Sequence, residues 1–262
     1  MFTYPDIDPI AFTLNVRWYG LMYLAGFALG WLGVRYRAKL PGSPIETARA
    51  EDLLFYVALG VFIGGRLGSM LFYDLTGLIA EPLSVFRIWE GGMSFHGGLI
   101  GVLLAMALFA RRIGQPFFAV ADFAAPWAPI GLGLGRIGNF LNGELWGRAT
   151  SPDAPWAVIV DGTPRHASQL YEAFLEGLVL LAVLLIYSAK PRPTMAVSGL
   201  FLLLYGVFRV AVEFIRLPDE HIGYLALGWL TMGHVLSAPM MLAGAALLVI
   251  AYRRKSAETV TA

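Results

Sequence analysis

Five polar side chains lie within one short, glycine-rich and otherwise apolar stretch near the middle of the chain, residues 135–148. They are Arg136, Asn139, Asn142, Glu144 and Arg148. A cation and amides beside hydrocarbon are energetically costly, so such side chains usually face a cavity and bind something there. Glycines in this region allow a neighbouring backbone or a ligand to approach closely. The stretch therefore predicts an anion site, with an anionic lipid head group as the candidate ligand.

The composition places this stretch in a membrane protein. Of the 262 residues, 58% are hydrophobic and 14% are charged, whereas a soluble domain has about 25% charged residues. The net charge of +1 argues against nucleic acid as a partner. The chain has no cysteine, which excludes a disulfide, a thiolate metal site and a cysteine nucleophile. The expected fold is an all-α polytopic membrane protein.

Hydropathy predicts seven transmembrane helices, because about 20 apolar residues are needed to cross a bilayer. They cover residues 18–34, 53–73, 92–110, 123–141, 170–188, 196–215 and 232–252. Short loops join most of these helices, which indicates a single membrane-embedded domain over residues 1–262. The longest gap, residues 142–169, contains three prolines and is expected to form a short exposed arm.

The basic residues predict how these helices are oriented. Eleven of the 19 follow the first, third, fifth and seventh predicted helices, on one side of the membrane: Arg35, Arg37, Lys39, Arg49, Arg111, Arg112, Lys190, Arg192, Arg253, Arg254 and Lys255. The positive-inside rule makes that side cytoplasmic. The amino terminus is therefore expected outside and the carboxyl terminus in the cytoplasm, with the arm on the outer face.

Three arginines lie inside the predicted helices that run from the cytoplasm to the outside, namely Arg66, Arg136 and Arg209. At a rise of about 1.5 Å per residue, Arg136 and Arg209 lie within about two turns of the outer boundary, and Arg66 lies slightly deeper. His96 lies near the outer start of the third helix, among glycines and small residues. Because histidine changes its charge near neutral pH, His96 is either a reactive group that approaches a substrate or a histidine satisfied within the core.

Charged residues at helical spacing leave alternatives open in the sixth and fifth helices. Arg209, Glu213 and Arg216 lie on one helical face and form either an ion-pair ladder or, at Arg209 above all, an anion site. Glu172 and Glu176 are spaced i, i+4, and their expected role is to neutralise the arginines, with a role as a base as the alternative. The histidines lack metal-binding spacing and there is no aspartate cluster, so no metal is expected.

Five segments of the chain, in the right order and over nearly its whole length, resemble the prolipoprotein diacylglyceryl transferase family. They are residues 17–23 (RWYGLMY), 94–99 (SFHGGL), 135–148 (GRIGNFLNGELWGR), 169–172 (QLYE) and 209–216 (RVAVEFIR). Members of this family are bacterial inner-membrane enzymes. They transfer the sn-1,2-diacylglyceryl group of phosphatidylglycerol to the lipobox cysteine of prolipoproteins, forming a thioether and releasing glycerol phosphate, in the first step of lipoprotein maturation.

The resemblance implies roles for individual residues. Arg136 and Arg209 would hold the lipid phosphate and stabilise charge on the leaving group, because a guanidinium engages phosphate oxygens in pairs and keeps its charge. His96 would accept the thiol proton. The remaining substrate-binding residues would be Tyr19, Asn139, Glu144, Arg66, Glu213 and Arg216; Asn139 and Glu144 would either hold the glycerol hydroxyls or orient the arginines. The nucleophile belongs to the prolipoprotein, whose signal peptide carries the lipobox, and neither a metal nor a cofactor is implied.

Two other classes of function account for part of the pattern. A transporter or lipid scramblase also places arginines at a membrane cavity, but it needs polar residues along a whole path. The cytoplasmic halves of the odd-numbered predicted helices are nearly uniformly apolar. A structural subunit with buried ion pairs would leave His96 and residues 135–148 without a role. An enzyme that acts in the outer leaflet of the membrane is the favoured interpretation.

Overall fold

The chain is mostly helical in the computed structural model, which describes residues 2–5, 7–12, 16–87, 91–218 and 223–261. The helices are α1 (Trp18–Ala38), α2 (Ala50–Tyr73), α3 (Leu75–Ala80), α4 (Phe95–Arg112), α5 (Phe117–Ala124), α6 (Ala128–Leu141), α7 (Ser168–Glu172), α8 (Leu180–Ser188), α9 (Ala196–Glu213) and α10 (Met232–Thr261). A π-helical turn, Ala173–Val179, joins α7 to α8. The strands are short: β1 (Phe2–Thr3), β2 (Ile10–Phe12), β3 (Val16–Arg17), β4 (Val158–Val160) and β5 (Thr163–Arg165). The predicted all-α membrane class is confirmed.

Within the described residues, six helical segments are long and apolar enough to cross a membrane. They are Thr47–Tyr73, Phe95–Arg112, Phe117–Leu141, Ser168–Ser188, Ala196–Glu213 and Met232–Lys255. These six match six of the seven predicted spans, with ends that differ by a few residues. The remaining prediction, residues 18–34, coincides with α1, a helix of 21 residues. Tryptophans, tyrosines, glycines and two arginines lower the hydropathy of α1, so its crossing of the membrane stays a prediction.

Helix α4 begins three residues later than the sequence predicted. Gly91 and Gly92 both have positive φ angles, 82° and 79°, a backbone conformation that interrupts a right-handed helix and that glycine adopts at little cost. Ser94 then caps the helix, because its side chain accepts a hydrogen bond of 3.2 Å from the N–H of Gly97. His96 consequently lies in the first turn of α4.

The chain divides into two compact units. Unit 1 consists of Met1–Leu32 and Ala124–Ala262, and unit 2 consists of Gly33–Phe123. The boundaries fall within α1 and at the end of α5. Each unit has its own helix packing, and in both units glycines let helices come close together.

Glycines line the contact between α2 and α4 in unit 2. A Cβ built on Gly101 would overlap the carbonyl oxygen of Gly60, and one built on Gly64 would overlap the carbonyl oxygen of Gly97. Small residues at such spacing let two membrane helices pack backbone to backbone. Because α4 carries His96 in its first turn, this contact sets the position of that histidine within unit 2.

Replacing Gly101 by alanine is expected to destabilise the protein by about 1–3 kcal/mol, because the new methyl group overpacks a contact that has no free space. Thermal unfolding of the purified protein in detergent measures the effect. The matched control is Gly30→Ala, at a helical glycine whose added Cβ would meet nothing within 4 Å. Equal unfolding temperatures for the two variants would contradict the close α2–α4 packing.

In unit 1, a second glycine pair brings α6 against the π-helical turn. A Cβ built on Gly177 would lie 2.8 Å from the Cα of Gly133, closer than side chains normally allow. Arg136 follows Gly133 by three residues, and Glu176 precedes Gly177 in the chain. The close approach of the two helices therefore places the guanidinium of Arg136 near the acidic side chains of α7 and the π-helical turn.

The arm between α6 and α7 is less exposed than the sequence predicted. Strands β4 and β5 form an antiparallel hairpin, and β1 adds to β4 in parallel register. Asp161 and Gly162 at the hairpin tip both have positive φ angles, as a tight two-residue turn requires. Ala157 and Val158 are buried, with exposed fractions of 1% and 7%. Pairing with β1, some 155 residues away in the sequence, is a long-range contact that local composition does not reveal.

Candidate functional site

A buried cluster of three arginines and three glutamates lies in unit 1, with Glu172 at its centre. Glu172 is fully buried. Its Oε2 lies 2.7 Å from Arg136 Nε and 3.0 Å from Arg209 Nη1, and its Oε1 lies 2.9 Å from Arg216 Nη1. A carboxylate in such a position stays charged only when donors surround it. Glu172 therefore ties α6 to α9, which is the counter-ion role expected for it from the sequence.

The π-helical turn after α7 carries the second acidic side chain of the cluster. Glu176 lies within this turn and its Oε2 is 4.0 Å from Arg136 Nε. A π-helical turn is uncommon and often occurs at functional sites, because its extra residue rotates the following side chains around the helix axis. Here Glu172 and Glu176 both face the arginines of the neighbouring helices.

Glu213 connects the cluster to the start of α10. Its Oε2 lies 2.7 Å from Arg209 Nη2, and its Oε1 accepts a hydrogen bond of 2.7 Å from the hydroxyl of Thr231. The backbone N–H of Thr231 donates to Nδ1 of His234 at 3.3 Å. A Cβ on Gly233 would overlap the carboxylate of Glu213, so only glycine lets Glu213 approach the first turn of α10.

Replacing Thr231 by valine is expected to destabilise the protein by about 1–3 kcal/mol, because a buried carboxylate oxygen of Glu213 loses its donor. Thermal unfolding in detergent measures this loss. Thr231→Ser keeps the hydroxyl and is the matched control, expected to unfold close to the wild-type temperature. If the valine variant were as stable as the serine variant, the hydrogen bond to Glu213 would have no energetic role.

Arg136 differs from the other arginines of the cluster because its ion pairs do not use the two terminal nitrogens of its guanidinium. Both of its ion pairs use Nε, to Glu172 and Glu176. Its side chain is 23% exposed, against 14% for Arg209 and 8% for Arg216. Within the described residues, its two terminal nitrogens form no hydrogen bond. Two coplanar nitrogen donors left open in this way are suited to the oxygens of a phosphate or carboxylate.

Polar side chains from α1 and from the end of α6 lie next to Arg136. Asn139 donates from Nδ2 to the hydroxyl of Tyr19 and, at 3.2 Å, to Oε2 of Glu144. Asn142 donates to the other carboxylate oxygen of Glu144 at 3.4 Å. The hydroxyl of Tyr19 lies close enough to Glu144 and Arg136 to be influenced by both charges. These groups form a hydrogen-bonding surface beside the open guanidinium.

The sharp turn after α6 holds Glu144 in place. Leu145 has a φ of 59°, a left-handed conformation that costs a residue other than glycine about 1–3 kcal/mol. Two side chains of α7 support this turn: Gln169 donates from Nε2 to the carbonyl of Glu144, and Ser168 donates from Oγ to the carbonyl of Leu145 at 2.8 Å. Helix α7, which supplies Glu172, therefore also fixes the backbone that carries Glu144.

A cleft of about 350 Å³ opens beside this turn. Its lining consists of Asp8, Pro9, Ile10, Arg17, Asn142 and Glu144. Charged side chains of both signs and an amide lie in this lining beside Pro9 and Ile10, so the cleft offers hydrogen-bonding partners to a hydroxyl-bearing group. Among the described residues, the buried Oδ1 of Asn142 has no hydrogen-bond partner, which leaves an acceptor available to such a group.

Arg66 lies in unit 2 and is engaged by the backbone there. It is 8% exposed, and it donates from Nη2 to the carbonyl of Ser84 at 2.7 Å, from Nε to that of Val85 at 3.2 Å and from Nη1 to that of Gly91. Through these bonds Arg66 links Gly91, just before α4, to Ser84 and Val85. The substrate contact predicted for Arg66 stays a prediction, and the observed contacts give it a structural role.

His96 also lies in unit 2, and its side chain is exposed. Its ring packs edge-on against Phe95 at a centroid distance of 5.7 Å, and it forms no hydrogen bond within the described residues. The exposure of the ring leaves its two nitrogens accessible to a substrate. Because His96 and Arg136 belong to different units, their meeting at one site stays a prediction. No group of three or more potential metal ligands occurs among the residues described.

Unit 1 thus brings together most of the residues that the sequence singled out as a binding site. They are Tyr19, Arg136, Asn139, Glu144, Arg209, Glu213 and Arg216. Sequence reasoning missed Thr231, which looks like an ordinary residue before a helix, and it considered His234 only as a metal ligand. No pattern in the sequence relates either of them to Glu213.

The chain is similar to one family of known proteins over nearly its whole length. A family model described as prolipoprotein diacylglyceryl transferase matches residues 9–250. Three curated relatives are each named phosphatidylglycerol–prolipoprotein diacylglyceryl transferase. The protein of Methylococcus capsulatus is 59% identical over 98% of this chain and 100% of its own length. The protein of Solidesulfovibrio magneticus is 56% identical over 95% of this chain and 96% of its own length. The protein of Azotobacter vinelandii is also 56% identical, over 98% of this chain and 98% of its own length.

Proposed function

The chain belongs to the prolipoprotein diacylglyceryl transferase family, and from this membership we propose how its residues act on the two substrates. The protein transfers the diacylglyceryl group of phosphatidylglycerol to the cysteine thiol of a prolipoprotein. This reaction is the first step of lipoprotein maturation. Both substrates are membrane-bound, which fits the six helices that can cross a membrane.

The phosphate of phosphatidylglycerol binds at Arg136. The observation that carries this assignment is the open guanidinium, whose two terminal nitrogens have no partner among the described residues while Nε is held by Glu172. A guanidinium fixed at one nitrogen is already oriented, so it loses little freedom when it binds a phosphate. Arg209 contacts the same Oε2 of Glu172 as Arg136 does and adds positive potential to the site.

The glycerol head group lies against Tyr19, Asn139 and Glu144. These side chains form a hydrogen-bonded set beside Arg136, and their amide, phenol and carboxylate groups can donate to and accept from hydroxyl groups. The cleft lined by Asn142 and Glu144 offers further space for this polar end of the lipid. The site then selects a glycerol head group because lipids without these hydroxyl groups would leave its polar side chains without hydrogen-bond partners.

The transfer step is a substitution at the glycerol carbon that bears the phosphate. The cysteine sulfur forms a bond to this carbon, and the bond from the carbon to the phosphate oxygen breaks with its electron pair left on the oxygen. Glycerol phosphate leaves as a monoester with one more negative charge than the diester. Arginine side chains placed around the phosphate stabilise that charge as it develops.

His96 accepts the proton of the thiol. A free cysteine has a pKa of about 8.5, so it is mostly protonated at neutral pH and needs a base to become a good nucleophile. The exposure of His96 and its lack of a partner among the described residues support this role. Arg66 assists by donating to the carbonyl of Gly91, just before α4, which helps to keep the first turn of that helix in place.

The protein is a multi-pass component of the bacterial inner membrane, with its active site toward the outer leaflet. Helix α1 supplies the seventh crossing, with the amino terminus outside and the carboxyl terminus in the cytoplasm. Basic residues support this orientation, because Arg35 and Arg37 lie in the last turn of α1 and Arg111 and Arg112 in the last turn of α4. Tyr19 then lies at the outer end of its helix.

An assay of the purified protein with phosphatidylglycerol and a lipobox peptide tests this function. The expected result is a peptide that carries a thioether-linked diacylglyceryl group, together with released glycerol phosphate. The matched peptide with serine in place of cysteine is expected to remain unmodified. Movement of phosphatidylglycerol across vesicles without any modified peptide would instead identify a scramblase and contradict the proposal.

A further inference from the structure

Within the described ranges of the chain, Glu176 differs from Glu172 and Glu213 because no hydrogen-bond donor reaches its carboxyl group. It is fully buried, and neither of its carboxyl oxygens has a hydrogen-bond partner among the described residues. Arg136 Nε is 4.0 Å away and is already 2.7 Å from Glu172. An ionised carboxylate that is buried without donors is strongly destabilised, so such a group tends to take up a proton.

The groups that face Glu176 come from the elements packed around the π-helical turn. They are Glu172 on α7, Arg136 on α6, Tyr205 and Arg209 on α9, and Arg216 just after α9. Helix α8 contains no charged residue. Glu172 forms close ion pairs with all three arginines. A negative charge on Glu176, one turn further along the helix, would therefore be destabilised both by its burial and by repulsion from Glu172.

We propose that Glu176 is a protonated, neutral acid in the lipid-bound site and that it thereby sets the charge of the site. With Glu176 neutral, three arginines face the two carboxylates of Glu172 and Glu213, and the cluster carries one net positive charge. A phosphodiester carries one negative charge and neutralises the cluster. If Glu176 were ionised, the bound lipid would leave one buried negative charge uncompensated, which is costly. The proposal rests on the proposed phosphate site at Arg136.

A neutral Glu176 also has a consequence for the product. Glycerol phosphate is a monoester, and a phosphate monoester carries close to two negative charges at neutral pH. With Glu176 neutral, the cluster keeps a net positive charge, which stabilises the negative charge that develops on this leaving group.

Infrared difference spectroscopy tests the protonation state directly. In the wild-type protein with bound phosphatidylglycerol, we expect the C=O stretching band of a protonated carboxylic acid, and we expect Glu176→Gln to remove it. If the spectra of the two proteins are the same in this region, Glu176 is ionised and the proposal is wrong. This measurement does not depend on turnover.

The affinity for phosphatidylglycerol supplies the second test. It is compared between two glutamate-to-glutamine variants, at Glu176 and at Glu172, which lie one helical turn apart. Glu176→Gln mimics a neutral acid and is expected to bind phosphatidylglycerol within about threefold of wild type. Glu172→Gln removes a true carboxylate from three arginines and is expected to weaken binding by roughly thirtyfold or more. A correctly folded Glu176→Gln protein that binds as poorly as Glu172→Gln would contradict the neutral state.

The phosphate site itself is tested separately by Arg136→Ala in the same binding experiment. Wild-type affinity in that variant would overturn the proposed function at Arg136. The infrared band would still report whether Glu176 is protonated, so the two failures can be told apart. Loss of affinity in Arg136→Ala together with a missing band would overturn only the assignment of Glu176.

Discussion

Replacing Arg136 by alanine is expected to lower kcat/KM for diacylglyceryl transfer by roughly 10²–10³-fold, the usual loss when one donor to a developing anion is removed. In the part of the chain that the structure describes, the terminal nitrogens of Arg136 have no hydrogen-bond partner, whereas Arg209 and Arg216 use terminal nitrogens in their ion pairs. Alanine leaves no group that can replace them. Arg136→Lys is expected to recover only part of the activity, because an ammonium is a point charge and cannot contact two phosphate oxygens in a plane.

The measurement is the initial rate of peptide modification at several phosphatidylglycerol concentrations. Arg35→Ala is the matched control, because it removes an arginine from an exposed ion pair with Glu51, and its activity is expected to equal that of wild type. Thermal unfolding of each variant separates loss of catalysis from loss of fold. Near-normal turnover in a folded Arg136→Ala protein would rule out the phosphate role.

Replacing His96 by glutamine is expected to lower kcat by roughly 10²–10⁴-fold, the range that general base catalysis contributes. Glutamine keeps a polar side chain at the first turn of α4 but cannot take up a proton near neutral pH. The affinity for phosphatidylglycerol is expected to change little, because the phosphate contacts are assigned to Arg136 in the other unit. We therefore expect His96→Gln to lower the rate of transfer without a comparable loss of affinity for phosphatidylglycerol.

The comparison of kcat with lipid affinity decides the role of His96. The matched control is His166→Gln, which removes an imidazole of the arm that contacts the hydroxyl of Tyr171 at 3.2 Å, and it is expected to retain most of the activity. Equal losses of rate and affinity in His96→Gln would make His96 a binding residue. An unchanged rate would remove it from the mechanism.

Much of the helical fold is a local property of the sequence. Each span needs a run of apolar residues with its backbone hydrogen bonds closed inside the run, so hydropathy alone predicted six spans to within a few residues. Hydropathy does not predict where α4 begins, because the positive φ angles of Gly91 and Gly92 delay its start. It also missed strand β1, because its pairing with β4 joins distant parts of the chain.

In the candidate site, contacts within one helix follow from the sequence, whereas contacts between helices do not. Arg209, Glu213 and Arg216 share a helical face by spacing alone, and the observed pair between Arg209 and Glu213 follows from it. The central position of Glu172 does not follow from spacing, since its three partners come from two other parts of the chain. The contact from Thr231 to Glu213 likewise depends on how α10 packs against α9.

The sequence by itself determined that the chain is a helical membrane protein, that its polar residues cluster near one end of their helices, and that its motifs resemble one transferase family. The tertiary structure decided which of those polar residues neutralise each other and which remain open. Ion pairing in hydrocarbon depends on distances of a few ångströms between side chains on different helices. Helix rotation and close glycine contacts set those distances. Among the residues with a described structure, the terminal nitrogens of Arg136 consequently have no partner, whereas those of Arg209 and Arg216 are paired.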